Sequence, residues 1–230
     1  MMNPQEIKDY LYTHADERYA AFSSALMPGE KLDVIGVRLP VIKDLAKRLS
    51  KEDWKAYLDS ASDDTFEEIM LQGFVIGLAK MPFEEQLRRI AGYADKITNW
   101  SLCDSPCAGF KSVRKHREEV WTFLQPYLQS ENEFKQRFGI IMLMDHFITD
   151  CYIVRLINVL SAVRPVGYYA SMAVAWAVSV CYVHYPDIVT DLLKSHELDK
   201  DTQNRAIQKI VDSLRVTAEA KKEVRKFKIK

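Results

Sequence analysis

The stretch YYASMAVAWAVSVCYVHY, residues 168–185, decides the fold class. It is apolar over nearly its whole length, rich in Ala and Val, and interrupted by Ser171 and Ser179. With these two serines interrupting it, no unbroken apolar run in the chain reaches the ~18 residues that a membrane span needs. The stretch is therefore read as a helix buried inside a soluble fold. Pro186 and Asp187 start the next helix, and a periodic segment from Asp199 to Val216 closes the fold. The tail after it, AEAKKEVRKFKIK, is charged and either extends helically or frays.

Upstream the same helical spacing recurs. It carries residues 150–163, a segment from Glu131 onward and residues 118–128. Asn99 caps a segment holding Trp100, Cys103, Asp104 and Cys107. Pro82 opens another helix, and Asp63 and Asp64 precede one carrying Phe66, Ile69, Met70 and Phe74. Ser50 is read as the N-cap of a short helix with Trp54, and Pro40 as first-turn residue of a helix with Val41, Leu45 and Leu49. Pro4 opens a helix carrying Ile7, Tyr10 and Leu11. Only 8 Gly and 8 Pro punctuate 230 residues, and no Gly/Ser linker appears, so connections are short and neighbours antiparallel. At ~40 residues per helix pair the length corresponds to roughly six pairs. One domain, residues 1–230 with a basic tail at 217–230, is expected. A plain helical bundle is the alternative architecture.

The start, MMNPQEIKDY, lacks the apolar core of a signal peptide. The cysteines at 103, 107, 151 and 181 are accordingly read as reduced thiols of a cytosolic protein. Lys plus Arg and Asp plus Glu are 32 each, a balance that argues mildly against a nucleic-acid binder. The charges are nevertheless sorted. Lys43, Lys47, Arg48 and Lys51 follow helical spacing, and Lys111, Arg114, Lys115 and Arg117 lie just beyond Asp104. Lys221, Lys222, Arg225, Lys226, Lys228 and Lys230 crowd the tail. Asp63, Asp64, Glu67, Glu68, Glu84 and Glu85 gather elsewhere. A neutral chain sorted in this way can present a basic face to phosphates, although any one cluster reads equally as solvated helix surface.

Four segments together resemble AlkD-like DNA alkylation repair glycosylases. They are residues 34–45 (VIGVRLPVIKDL), 97–104 (ITNWSLCD), 172–178 (MAVAWAV) and 185–210, which opens YPDIV and ends NRAIQKI. The Trp-x-x-x-Asp element, followed some seventy residues later by a lone Trp on an Ala-rich helix, is the most specific part. The resemblance implies an all-α, right-handed superhelical stack of HEAT-like helix pairs. It implies a monomeric, cytoplasmic, bacterial-type enzyme, nucleoid-associated when bound to duplex DNA, with no metal, cofactor or membrane. The activity implied is hydrolysis of the N-glycosidic bond of N3- and N7-alkylated purines. Residue by residue, the catalytic carboxylate falls on Asp104, the two sugar-contacting indoles on Trp100 and Trp176, and the backbone-holding guanidinium on Arg137. From the basic clusters, Lys43, Lys47, Lys111 and Arg114 are expected to add phosphate contacts. The sequence departs from the family where Ser101 replaces a second Trp, and where Met27 replaces an aromatic before Gly36.

The chemistry suits these residues. Alkylation at N3 or N7 makes the purine cationic and already a good leaving group, so no general acid is required. The sugar develops oxocarbenium character, which one nearby anion stabilises while orienting water. Trp100 and Asp104 stand four apart and share one helical face. Each residue also has a plain structural reading. The two Trp can be core packing, Asp104 a cap or ion-pair partner, and Arg137 a buried salt-bridge partner. Cys103 and Cys107 share a face near His116, but zinc needs four ligands at tighter spacing. His14, His146, His184 and His196 are isolated, and no Gly-rich phosphate loop is present. Two other functions remain alongside the glycosylase. One is a noncatalytic DNA-binding protein of the same fold, suggested by Ser101 and Met27. The other is a protein-interaction scaffold, suggested by zero net charge.

Overall fold

The computed structural model describes residues 2–230. Among them are fourteen α-helices, one 3-10 helix (Lys111–Lys115) and no strand. An isolated bridge pairs Asp33 with Thr65. The chain divides into two compact units, Met1–Ser112 and Val113–Lys230.

The first unit holds α1 (Pro4–Thr13), α2 (Glu17–Ala25), α3 (Leu39–Leu49), α4 (Trp54–Ser60), α5 (Phe66–Leu78), α6 (Phe83–Ala94) and α7 (Trp100–Cys107). Here α3 packs on α5 and α5 on α7, while α4 and α6 lie against α5. The second unit holds α8 (Arg117–Leu128), α9 (Glu133–Phe147), α10 (Ile153–Ala162), α11 (Gly167–His184), α12 (Pro186–Ser195), α13 (Lys200–Asp212) and α14 (Ala218–Arg225). Here α9 packs on α11 and α11 on α13, with α8, α10 and α12 beside that row and α14 on α13. In both units alternate helices form one row and the intervening helices flank it. That layering is expected when helix pairs stack in chain order, as in a helical-repeat stack.

Burial follows from position in the row. The middle helices α5 and α11 touch partners on several sides and are apolar around most of their circumference. Ala170, Ala173, Ala175 and Ala177 of α11 are wholly buried, and their small side chains let α9 and α13 approach closely. This is the buried helix that residues 168–185 predict. Flanking helices are amphipathic: α6 buries Gln86, Ile90 and Tyr93 and leaves Arg88 exposed. Each fully buried Leu or Ile of these faces contributes about 1.5–3 kcal/mol.

Three local expectations are corrected. Ser50 is the C-cap of α3, and Asp53 caps α4 by accepting from Ala56 N at 3.0 Å. The segment from Asp199 to Val216 is not one helix: α13 ends at Asp212, and Thr217 caps a separate α14. Glu67 and Glu68, counted with the acidic surface, are both buried. The tail is helical over α14, and its end is tied back by Asn204, which donates to the Ile229 carbonyl and accepts from Ile229 N. No described helix is long and apolar enough to cross a membrane.

Candidate functional site

The motif at residues 34–40 straps α2 onto α5. Glu67, 1% exposed, accepts from Ile35 N (3.1 Å), Gly36 N (2.8 Å) and Val37 N (3.1 Å). Burial pushes the Glu67 carboxyl above the usual carboxylate range, against those three N–H donors, which favour its charged form. Gly36 adopts φ +87°, and a Cβ there would lie 2.2 Å from the Asp16 carbonyl oxygen and 2.7 Å from Ala20 N. No side chain fits between this loop and the start of α2. Asp16 caps α2 through Tyr19 N (3.0 Å) and pairs with Arg38 at 3.1 Å. The Arg38 guanidinium lies 4.6 Å from the Tyr19 ring centroid.

This strap sets one wall of a hollow of about 540 Å³, its open mouth included. Tyr19 and Phe22 from α2, Met27, Met70, Trp100 and Ser101 line it. Phe22 is 59% exposed, far more than an apolar ring needs unless something covers it. The Trp100 indole N–H donates to the Leu26 carbonyl (3.1 Å), which fixes the ring in the wall.

Helix α7 begins where the sequence places its cap. Asn99 accepts from Ser101 N (2.9 Å) and Leu102 N (3.0 Å). The Asn99 amide also donates to Glu30, which accepts from Thr98 Oγ1 (2.7 Å), Lys31 N (2.7 Å) and Leu32 N (3.0 Å). Burial opposes charge on Glu30, but these donors outweigh it and hold the carboxyl below its usual range. One face of α7 is buried: Leu102, Cys103, Pro106 and Cys107. The approach to α5 is close because Gly73 faces Tyr93 and Pro106, where a Cβ would come within 2.7 Å of Tyr93 Cζ. The opposite face carries Trp100, Ser101, Asp104 and Ser105, all half-buried. Asp104 is thus neither enclosed in the helix stack nor fully exposed, one turn after Trp100. Cys103 and Cys107 are packed into the core, and among the described residues no group of three His, Cys, Asp or Glu side chains is arranged to hold a metal.

The basic candidates of the first unit lie at the surface. Lys43 is exposed with Nζ 5.3 Å from the Phe74 ring centroid, Lys47 pairs with Asp44 at 2.8 Å, and Lys111 is exposed. A shallow groove of about 900 Å³ joins Lys47 and Lys51 to Trp54, the exposed Leu78 and Lys80. Trp54 and Lys80 were not singled out by sequence because neither belongs to a spaced motif.

In the second unit, Trp176 is half-buried on the outward stripe of α11 with Met172, Val180 and Val183. It lines a groove of about 600 Å³ with Lys209 and Asp212 of α13 and with Ser213 and Arg215 beyond it. Arg205, one turn before Lys209, donates to Ser171 Oγ (2.6 Å) and lies 5.2 Å from the Tyr168 ring centroid. Arg137 is 6% exposed, and its guanidinium donates to the Tyr169 carbonyl at 2.8 Å. Arg114 is exposed, 3.4 Å from His146 Nδ1 and from the Asp145 carbonyl oxygen. The candidates thus fall into two sets: Trp100, Asp104 and the lysines of the first unit, and Trp176, Arg137 and Arg114 in the second.

Sequence reading missed α2 altogether. Its residues, ERYAAFSSA, include no buried side chain, so no apolar periodicity marks them. Only the capping Asp16 and the two aromatics signal it.

Comparison with known proteins fits the resemblance drawn from the motifs. None of the curated proteins compared with the chain matches it. Residues 7–210 match the family described as DNA alkylation repair enzyme, a span that takes in the strap, α7 and the Trp176 helix. The chain belongs to the DNA alkylation repair enzyme family, as its likeness to AlkD implies.

Proposed function

We propose that the protein is a DNA glycosylase that hydrolyses the N-glycosidic bond of N3- and N7-alkylated purines in duplex DNA, without metal or cofactor. The observation that carries this reading is the half-buried Asp104 one helical turn from Trp100, whose indole is pinned in the wall of an aromatic hollow. The cationic purine leaves with the bonding electron pair. Asp104 steadies the positive charge that grows on the sugar and orients the water that captures it. Trp100 offers an indole face to the deoxyribose and to the cationic base, and the family resemblance assigns Trp176 a sugar contact of the same kind within its own unit. Lys43, Lys47, Lys111 and Arg114 hold phosphates. Arg137, buried and donating to the Tyr169 carbonyl, is read as bracing the start of α11 rather than as the backbone clamp that the family resemblance assigns to it. The protein is proposed to act as a monomer in the cytoplasm.

The test is base release from methylated duplex DNA. The wild type is expected to free 7-methylguanine or 3-methyladenine, and Asp104→Asn to free neither while still binding DNA. The second reading, a noncatalytic binder, is favoured by Ser101, which lines the hollow where the family has another indole. Salt-sensitive DNA binding by wild type with no released base, across a lesion panel, supports that reading instead. Absence of DNA affinity even at low salt supports a protein-interaction scaffold.

A further inference from the structure

Where α9, α11 and α13 begin, their side chains form a stair of rings that ends on a guanidinium. The Phe134 ring of α9 lies 5.3 Å from the Tyr169 ring of α11, centroid to centroid, and Tyr169 meets Tyr168 edge-on at 5.3 Å. The Arg205 guanidinium of α13 closes the stair, 5.2 Å from the Tyr168 centroid. Tyr168 is 56% exposed and Arg205 half-buried, so the pair is reachable from solvent. Arg205 is also held from its other side. It donates to Ser171 Oγ at 2.6 Å, and that hydroxyl shares a second hydrogen bond with Thr202 Oγ1 at 2.8 Å. One ring and one hydroxyl therefore fix the plane of the guanidinium and leave its remaining N–H donors open. The carboxylates around it do not take them. Glu133 accepts from Tyr169 N, Asp199 caps α13 through Thr202 N at 2.9 Å, and the exposed Asp201 forms no ion pair with Arg205.

We propose that Arg205, stacked on Tyr168, is the guanidinium that grips a backbone phosphate of duplex DNA in the second unit. Arg137 is 6% exposed and committed to the Tyr169 carbonyl, so a clamp in this unit needs another arginine. Arg205 has what the role requires: a fixed planar fork, open donors and no ion-pair partner to give up. Its place suits the role too. Tyr168 opens the stripe of α11 that carries Trp176 eight residues later, about 12 Å along the helix axis. Lys209, one turn after Arg205, lines the Trp176 groove. A strand lying along these residues would set one phosphate on Arg205 and a sugar a few nucleotides away at Trp176. The inference rests on the DNA-binding reading above, and its test separates the two.

The probe is a set of labelled duplexes around one 7-methylguanine, whose sugar carries a 2′-fluorine to slow release. In each, a single phosphodiester is replaced by an uncharged methylphosphonate, moved one position at a time along both strands, and affinity is read by fluorescence anisotropy. Arg205→Gln is expected to bind the unmodified duplex about tenfold more weakly than the full-length wild type and to lower the salt slope by about one. One methylphosphonate position is expected to weaken wild type by a similar factor and to leave Arg205→Gln unchanged, because the lost charge and the lost guanidinium are the same contact. Arg205→Lys keeps the salt slope and loses part of the affinity. Tyr168→Phe binds as wild type does, and Tyr168→Ala, at an exposed position, binds more weakly without losing the slope. Thermal melting checks that the variants are folded, and a merely structural role for Arg205 would weaken every duplex of the set alike. Arg205→Gln with wild-type affinity and slope, or with the same methylphosphonate profile as wild type, overturns the clamp and leaves the DNA reading standing. No binding of wild type to any duplex overturns both.

Discussion

Glu30 and Gly36 take no part in the proposed chemistry, yet they hold its parts in place. Glu30 joins the loop after α2 to the cap of α7, so Trp100 and the α2 aromatics share one frame. Its carboxyl is depressed in the fold, so its contribution to stability is present above the ordinary carboxylate value of about 4.3 and fades as pH falls through the lower folded value. Glu30→Gln is therefore expected to be less stable than wild type at pH 7, with the gap narrowing in acid. Urea melts at both pH values check this, and a pH-independent gap contradicts it. At Gly36, an alanine meets both a positive φ and backbone atoms of α2. Gly36→Ala is expected to cost about 3 kcal/mol in urea unfolding. A loss below about 0.5 kcal/mol would show that the strap yields.

At the element scale, what was legible in sequence followed from spacing and caps. The Asn99 cap, the proline starts of α1, α3 and α12, and the buried α11 are where periodicity predicts. What was not legible lacked such a signal. Helix α2 buries nothing, so its sequence has no apolar stripe. The stop of α13 has neither Gly nor Pro: Ser213 and Thr217 make it through local hydrogen bonds, which periodicity does not register. Glu67 looks like surface charge in a string of acidic residues, and only the folded strap reveals its three backbone donors. The candidate site was legible in the same uneven way. The family resemblance supplied Trp100, Asp104 and Trp176, but not Tyr19 and Phe22, which share the Trp100 hollow. Met27 stands where the family has an aromatic, and Phe22 lines the same hollow, so Phe22→Ala is expected to weaken binding of lesion-containing duplex more than that of undamaged duplex. Fluorescence anisotropy on the two duplexes measures the difference, and equal weakening contradicts it.

For the whole molecule, zero net charge is not zero field. Lys47, Lys51 and Lys80 outnumber Glu52 at one groove, and Lys209 and Arg215 outnumber Asp212 at another, each within its own unit. DNA affinity is expected to fall steeply with salt, because each neutralised phosphate releases counterions. Lys47→Ala with Lys80→Ala is expected to flatten that dependence, whereas Asp104→Asn leaves it unchanged. The central claim, a carboxylate acting on the sugar, is tested most directly by the single-turnover rate of base release from a duplex with one 7-methylguanine. Asp104→Asn is expected to bind that duplex as wild type does and to release the base about 10²–10³ more slowly, a loss of roughly 3–4 kcal/mol in the transition state. Equal rates for the two proteins would contradict the claim.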